Sequence, residues 1–259
     1  MTLDLKNKVA IIVGAAGATG SAVARAFGEN GAKVVAADIR TEALDKVVGQ
    51  IRAGGAEITA VRVDVRSMDS VKALVEKAVA VYGGVDALVN AAGYMGNIAH
   101  RAPLEDFDDD VWDDVIATDM TGVFYCVKTV AGQMVKQGRG GSITNIGSAK
   151  GLVPSKLQCA FAAAKAGVFN FTKAVGMEMA PDGIRINAVA AGDVVNEEVA
   201  ALDAASLELM KSHIPAGTLA APEDFAGLCC FLATDAARYI NGAVIPVDGA
   251  WSVGYTRDF

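Results

Sequence analysis

Short runs rich in Val and Ile alternate with longer helical patterns along the whole 259-residue chain. Continuous apolar runs are typical of parallel strands covered on both faces, and the longer patterns are typical of crossover helices. The predicted strands are Val9–Val13, Lys33–Asp38, Glu57–Asp64, Ala87–Asn90, Gly141–Ile146, Arg185–Val189 and Ala243–Val247. Helices are predicted to begin near Gly20, Thr41, Ser67, Trp112, Cys159, Ala204 and Ala221. We therefore predict an α/β fold for residues 1–259, a single-domain doubly wound parallel sheet (Rossmann-like) with helices on both faces.

Two segments depart from this alternation. Residues 192–217 form a long connection after a strand, and ligands of open α/β sheets bind beyond the carboxyl ends of the strands. We therefore expect a substrate lid within the domain. Residues Leu104 to Asp114 carry seven acidic residues around Phe107 and Trp112. Because acidic residues are favoured at the start of a helix by its dipole, they indicate an exposed helix start rather than a metal site.

Charge and composition narrow the class of partner. The net charge is −7, without a cluster of Lys and Arg, which argues against nucleic acid and anionic membranes as partners and favours a small-molecule substrate. The N-terminus lacks a signal-peptide pattern and no apolar run could span a bilayer, so a cytoplasmic protein is expected. The four cysteines, Cys126, Cys159, Cys229 and Cys230, lack metal-ligand spacing. They predict reduced, buried thiols and no bound metal.

A glycine-rich loop, Gly14-Ala-Ala-Gly17-Ala18-Thr19-Gly20, follows the first predicted strand and leads into a helix. Such a loop lets the backbone approach a pyrophosphate closely and directs the free N–H groups of the helix start at it. Glycine is also common in any tight strand-to-helix turn, so the loop becomes informative only in context.

The context is Asp38, which stands eighteen residues after Gly20 at the end of the second predicted strand. A carboxylate there can accept hydrogen bonds from the adenosine ribose and would repel a 2'-phosphate, which favours NAD over NADP. Arg40, two residues on, leaves a lesser route to NADP. Asp38 could alternatively be a strand-end turn acid.

The run from Ser148 to Lys165 combines a hydroxyl, an aromatic ring and an ammonium group. Ser148 follows a predicted strand, and Phe161 and Lys165 are four residues apart, so they share one helix face. If the ring were a phenol, the lysine would lower its pKa and the serine would orient a substrate oxygen, as in an acid/base site. The ring belongs to Phe161, which can neither donate nor accept a proton.

Taken together, the glycine loop, Asp38, Asn90-Ala91-Ala-Gly93, Ser148 and the Phe161/Lys165 pair resemble the short-chain dehydrogenase/reductase superfamily from about Leu5 to Ser252. In that family Lys165 would bond the nicotinamide ribose and Ser148 would hold the substrate oxygen. The small residues Ala162, Ala163, Ala166 and Gly167 suit helix packing between subunits, and the family default is a homotetramer. The cofactor residues that the resemblance implies are Gly14, Gly17, Ala18, Thr19, Gly20, Asp38, Ile39, Asp64, Val65, Asn90, Ala91, Gly93, Lys165, Gly192 and Val194.

The expected substrate pocket is formed by Tyr94, Met95, Lys150, Cys159 and Val195. Lys150 could meet an anionic group of the substrate or be solvated.

Several positions depart from the family pattern. Phe161 stands where the family has its catalytic Tyr, and Asp119 stands where it has an Asn that positions a water beside the lysine. An anion at that position would favour a charged Lys165. Val13 and Ala18 alter the glycine-loop pattern, and Ala191 and Asn196 replace a Pro and a Thr. The catalytic set is therefore Ser148, Phe161, Lys165 and Asp119.

Three functions are compatible with these residues. The first is an NAD(H)-dependent oxidoreductase that interconverts a secondary alcohol and a ketone, with the proton carried by Ser148 or by a water at Asp119 and Lys165. The second is a lyase, dehydratase or cyclase on the same fold, and the third is a non-catalytic NAD-binding subunit. We favour the first because Ser148, Lys165 and the cofactor residues occur together. Phe161 could be engineered or divergent, and the accompanying departures make natural divergence credible.

Overall fold

The computed structural model describes residues 3–94 and 101–254. Seven strands form one parallel sheet in the order β3-β2-β1-β4-β5-β6-β7. The strand order reverses between β1 and β4, and such a switch point is where open α/β sheets bind ligands. The strands are β1 (Val9–Val13), β2 (Lys33–Asp38), β3 (Ile58–Arg62), β4 (Ala87–Asn90), β5 (Gly141–Ser148), β6 (Ile184–Ala191) and β7 (Val244–Val247).

Helices cover both faces of this sheet. They are α1 (Ala18–Glu29), α2 (Thr41–Ala53), α3 (Met68–Tyr82), α4 (Asp109–Ile116), α5 (Gly122–Gln137), α6 (Cys159–Met179), α7 (Glu197–Ala200), α8 (Ala204–Ser212) and α9 (Glu223–Ala233). Apolar residues of α1, α2 and α9 pack into one core layer, and those of α3 and α5 pack, with part of α6, into the other. The fold class predicted from the sequence is confirmed.

The predicted boundaries differ by two or three residues at β3, β5, β6 and α4, and β3 is shorter than predicted. β5 continues to Ser148 and β6 to Ala191, and these two residues are partners in the sheet. α4 begins at Asp109, before Trp112, because the Asp108 carboxylate accepts hydrogen bonds from the first amides of the helix. The acidic segment is therefore a helix start, as its charge pattern predicted.

Two glycines bring α6 close to the end of β5. A Cβ at Gly147 would overlap the ring of Phe169, and a Cβ at Gly151 would lie 2.7 Å from the carbonyl carbon of Lys165. Side chains at either position would push α6 away from the sheet. Ser148 lies between these two glycines in the chain. Because neither glycine carries a side chain, Ser148 stays close to α6, the helix that carries Lys165.

The segment 192–217, predicted as a lid, contains α7 and α8. In α8, all of whose residues are described, no side chain is buried. The segment is joined to the fold by a parallel bridge between Val194 and Ala220. Its role as a lid stays a prediction. Across the described ranges, every helix is too short or too polar to cross a bilayer.

Candidate cofactor and substrate site

The glycine loop is packed so tightly that two of its positions accept only glycine. Gly14 has a φ of +80°, and a Cβ there would lie 2.5 Å from the amide nitrogen of Ala92. A Cβ at Gly20 would overlap the carbonyl of Gly14. These contacts hold the loop against the end of β4 and hold α1 against the loop.

The start of α1 is open to a ligand. Gly17 precedes the helix, and within the described residues no side chain accepts a hydrogen bond from the first helical turn. The first N–H groups of a helix have no partner inside it, so the amides of Ala18, Thr19 and Gly20 are available to an anion. A Cβ at Gly17 would come no closer than 3.3 Å to any neighbour, so this side of the loop is the uncrowded one.

Asp38 is 6% exposed and is bound to the glycine loop. Its carboxylate accepts hydrogen bonds from the amide of Ala16 at 3.0 Å and from the amide of Arg40 at 2.9 Å, and the Arg40 Nε lies 3.3 Å from it. Asp38 therefore acts as a turn acid and also places a negative charge beside the loop. The guanidinium of Arg40 lies beside Gly17. A Cβ at Gly17 would be 3.6 Å from the Arg40 Nη2.

Other predicted cofactor residues line the ends of β2, β3 and β4. Ile39 is exposed next to Asp38, and Val65 is buried against Gly122. Asp64 lies beside Arg66, whose hydrogen bond holds the pKa of that carboxyl below its ordinary value. Ile39, Asp64 and Val65 therefore follow the carboxyl ends of the neighbouring strands β2 and β3.

Asn90 ends β4 and is buried. Its amide donates to Asn145 at 2.8 Å, but its Oδ1 has no hydrogen-bond partner within the described part of the chain. Buried acceptors of this kind are normally satisfied, so Oδ1 marks a place for a water or a ligand. Ala91 follows, and its amide donates a hydrogen bond to the Val13 carbonyl. The uncapped helix start, the close-packed loop and this free acceptor together fit a dinucleotide.

Lys165 and Asp119 form a buried ion pair. The Lys165 Nζ lies 3.0 Å from Asp119 Oδ2, and the residues are 4% and 0% exposed. Asp119 lies in a π-helical turn, Ala117–Thr121, between α4 and α5, and such turns are frequent at functional sites. The amide of Tyr94 donates to Asp119 Oδ1 at 2.6 Å, and a Cβ at Gly93 would lie 3.3 Å from the Lys165 Nζ. The pair therefore lies directly beneath the backbone that follows β4.

Burial raises the pKa of the Asp119 carboxyl above its ordinary value, while the charge of Lys165 and the Tyr94 amide act in the opposite direction. A charged group that is removed from water needs an oppositely charged partner. Lys165 and Asp119 provide that partner for each other. The geometry places the Asp119 carboxyl group beside Lys165, and its role as an anion there stays a prediction.

The ring of Phe161 lies beside the same ammonium group. The ring centroid is 5.2 Å from the Lys165 Nζ, within the range of a cation–π interaction. Phe161 packs with Val111 and Val115 of α4 and with Ala164 of its own helix. The structure thus brings Phe161, Lys165 and Asp119 together. The spacing of Phe161 and Lys165 indicated the first contact, and the family resemblance implied the place of Asp119.

Ser148 borders a small cavity that carries two opposite charges. The Lys150 amide donates to the Ser148 Oγ at 3.3 Å, and the Lys150 Nζ forms an ion pair with Asp193 at 2.5 Å. The side chains of Lys150 and Asp193 are 16% and 28% exposed. Interpretation of Lys150 as a solvated lysine is therefore wrong, because Asp193 holds its ammonium against the cavity wall. The cavity is lined by Ser148, Ala149, Lys150, Ala191, Gly192, Asp193 and Trp251.

Sequence reasoning missed Asp193. The carboxyl ends of neighbouring parallel strands meet at one edge, but the pairing of β5 with β6 and their extension to Ser148 and Ala191 are seen only in the structure. Gly192 was assigned to the cofactor and lines this cavity, where a Cβ would lie 2.7 Å from the backbone of Asp248.

Other predicted pocket residues lie further from this cavity or outside the described structure. Cys159 begins α6 and is only partly buried, which corrects the prediction that all four thiols are buried. It is not among the residues that line the cavity at Ser148. Val195 is exposed, Val194 packs against the core, and Tyr94 is partly exposed. Met95 lies outside the described residues.

Asn196, which follows β6, forms a side-chain hydrogen bond within its own segment. Its side-chain oxygen accepts a hydrogen bond from the amide of Val199 at 2.9 Å, which caps α7. The side chain therefore stabilises the start of the predicted lid in this structure.

Several known proteins are similar to this chain in sequence or fold over almost their whole length. A family model described as Enoyl-(Acyl carrier protein) reductase matches residues 14–252. The chain is 41% identical over 250 residues to a cis-4-hydroxycyclohexanecarboxylate dehydrogenase of Sinomonas cyclohexanicum, covering 96% of this chain and 97% of that protein. It is 37% identical to the 2,5-dichloro-2,5-cyclohexadiene-1,4-diol dehydrogenase LinX of Sphingobium indicum, covering 98% and 100%.

A solved structure agrees with these relatives. The crystal structure of a short-chain type dehydrogenase/reductase from Mycobacterium marinum superimposes with a TM-score of 0.89 at 31% identity, covering 98% of each chain. Relatives named as dehydrogenases indicate an oxidoreductase, and the family implies a nicotinamide cofactor, either NAD or NADP. The chain belongs to the short-chain dehydrogenase/reductase superfamily.

Proposed function

We propose that the protein is an NAD(H)-dependent oxidoreductase that interconverts a secondary alcohol and a ketone. The observation that carries this proposal is the buried Lys165 ammonium, held by Asp119 beneath Gly93, just after the end of β4. A structural lysine would not need to be buried at the switch point of the sheet together with an uncapped helix start. The arrangement suits a residue that contacts a bound cofactor.

The cofactor would be held by the amides at the start of α1, by Asp38 at the adenosine ribose and by Lys165 at the nicotinamide ribose. When bound, it supplies hydride transfer to or from the substrate carbon. NAD is favoured because the carboxylate of Asp38 is fixed beside the loop by the Ala16 amide and would repel a 2'-phosphate. Arg40 faces this carboxylate, which offsets the attraction that its charge would offer to NADP.

Ser148 is the group that we assign to the substrate oxygen. Phe161, at the position of the family's Tyr, provides an apolar wall and a surface for the ammonium of Lys165. Loss of a positioned acid/base costs about 10² to 10⁴ in rate, or roughly 3 to 5 kcal/mol of barrier. Hydride transfer itself does not require the phenol, so redox chemistry remains possible with another proton carrier.

Two relatives are named for oxidation of six-membered ring alcohols, which suggests a ring alcohol as substrate class. We propose a test panel of cyclohexanol, cis-4-hydroxycyclohexanecarboxylate and 2,5-dichloro-2,5-cyclohexadiene-1,4-diol. Formation of NADH in the presence of NAD is followed by absorbance, with loss of the alcohol measured in parallel. Ketone and NADH produced in equal amounts are the expected result.

Three variants sharpen this experiment. Lys165→Met and Ser148→Ala are expected to lower kcat/KM. Phe161→Tyr is expected to raise kcat, and the upper limit of that gain is the contribution of a positioned acid/base, about 10² to 10⁴. Loss of alcohol without formation of NADH would instead establish a lyase, dehydratase or cyclase. Binding of NADH without turnover of any alcohol, in both the unmodified chain and Phe161→Tyr, would favour a non-catalytic NAD-binding subunit.

We also propose a homotetramer. The proposal is supported by the small exposed residues Ala163 and Ala166 on α6 and by the exposed ring of Phe124 on α5. Helices with small surface residues can approach closely and bury apolar area between subunits. Sedimentation equilibrium of the unmodified chain and of Ala166→Glu tests this, since a tetramer that uses this face should dissociate in the variant.

A further inference from the structure

The cavity beside Ser148 holds an ion pair whose aspartate, Asp193, has no role in the preceding assignments. Lys150 comes from the turn after β5, and Asp193 follows β6. They are the charged side chains among the residues that line this cavity. Neither is fully exposed, so the pair is part of the wall and not a feature of the outer surface.

We propose that Asp193, held by Lys150, is the catalytic residue that carries the substrate proton in place of a tyrosine. This inference rests on the proposed oxidoreductase function. It assigns to the pair the one chemical role that Phe161 cannot fill.

The sheet places Asp193 where this role requires. Ser148 is the partner of Ala191 in the parallel ladder between β5 and β6, and Asp193 lies two residues beyond Ala191. Ser148, Lys150 and Asp193 therefore gather at the same end of the sheet, with the Ser148 Oγ bonded to the Lys150 amide. A hydroxyl group held by Ser148 would lie in the cavity that Asp193 also lines.

The other ionisable groups near the site are less suitable. Lys165 is 4% exposed and is paired with Asp119, which is itself fully buried and bonded to the Tyr94 amide. These two residues face the backbone of Gly93, on the cofactor side. Asp193 is the more exposed member of the Lys150 pair, so it can exchange a proton with solvent after each turnover.

The step balances without a further reactant beyond the cofactor of the proposed function. In the direction of oxidation, the C–H bond of the carbinol carbon breaks and its hydrogen leaves with the electron pair as hydride to the nicotinamide. The O–H bond breaks, its electrons form the carbonyl double bond, and its proton passes to the Asp193 carboxylate. The ion pair with Lys150 holds the Asp193 carboxylate at the cavity, and water removes the proton afterwards. Reduction follows the same path in reverse.

The test compares Asp193→Asn in two backgrounds, the unmodified chain and Phe161→Tyr, with cyclohexanol and NAD. If Asp193 carries the proton, the substitution lowers kcat by about 10² or more when residue 161 is Phe. When residue 161 is Tyr, the phenol offers another carrier, so the loss in kcat should be at least tenfold smaller. Lys150→Met should likewise lower kcat more when residue 161 is Phe than when it is Tyr. Lys150→Arg keeps the positive charge and should therefore lose much less kcat than Lys150→Met.

The matched control is Asp69→Asn, which disrupts an exposed lysine–aspartate pair on α3 and should alter kcat in neither background. NADH binding, followed by fluorescence, establishes that each variant is folded and retains its cofactor site. An equal loss in both backgrounds, or a rise in KM with kcat retained, would assign the pair to substrate binding and overturn the inference. Activity in Phe161→Tyr with none in the unmodified chain would overturn it as well. Absence of NADH formation in every variant would refute the proposed function itself.

Discussion

The Lys165 ammonium and the Asp119 carboxylate lie 3.0 Å apart in the interior, where Asp119 is fully buried and Lys165 is only 4% exposed. Removal of one partner from such a pair leaves a buried charge without compensation, which is more costly than replacement of both. The pair is therefore a constraint on folding as well as a feature of the proposed site. It links α6 to the π-helical turn before α5.

Asp119→Ala should lower the free energy of unfolding by about 3 to 5 kcal/mol, because the Lys165 ammonium stays buried without its counterion. Lys165→Met combined with Asp119→Leu should cost less than the sum of the single changes. Urea denaturation measures both effects. Asp69→Asn, at an exposed pair, serves as the control and should cost less than about 1 kcal/mol. A loss in Asp119→Ala as small as that of the control would refute the pairing.

Asp38→Ser should shift cofactor preference from NADH toward NADPH by about tenfold or more. The change removes the carboxylate that would repel a 2'-phosphate and leaves the guanidinium of Arg40 beside Gly17. Dissociation constants for NADH and NADPH, obtained by fluorescence titration, give the ratio. Asp45→Asn is the matched control, because it removes one negative charge at an exposed position on α2. An unchanged ratio in Asp38→Ser would show that Asp38 is only a turn acid.

The seven strands were predictable because continuous apolar runs of this length are compatible with few other secondary structures. The spacing of Phe161 and Lys165 also predicted their contact, since helix geometry alone fixes it. The proximity of Lys150 and Asp193 was not anticipated, because it depends on which strands are neighbours and on how far β5 and β6 extend. Exposure of Cys159 likewise depends on where α6 begins relative to the sheet.

Gly14→Ala should destabilise the fold by at least 2 kcal/mol, roughly the sum of a strained positive φ and a clash with the Ala92 backbone. Gly49→Ala is the opposite control. It lies in α2 with open space around it, and a helical alanine there should stabilise the protein by about 0.5 to 1 kcal/mol. Thermal unfolding distinguishes the two. Equal effects would mean that the loop can move away from β4.

Thiol reactivity should be confined to Cys159 in the native protein. Burial raises the pKa of the thiols of Cys126 and Cys230 to about 12 and also raises that of Cys229, so their thiolates are scarce at neutral pH. A chromogenic disulfide reagent should titrate one thiol rapidly before denaturation and all four of the chain afterwards. Cys159→Ala should abolish the rapid phase. Rapid reaction of a second thiol would contradict the packing around α5 or α9.

The central claim is that this chain transfers hydride although Phe161 cannot carry a proton. The most direct measurement incubates the unmodified protein with NAD and cyclohexanol deuterated at the carbinol carbon, and then analyses the cofactor by mass spectrometry. Our account predicts NADH that carries one deuterium, together with cyclohexanone in equal amount. Bound NAD that gains no deuterium from any alcohol of the panel in the unmodified chain would contradict it.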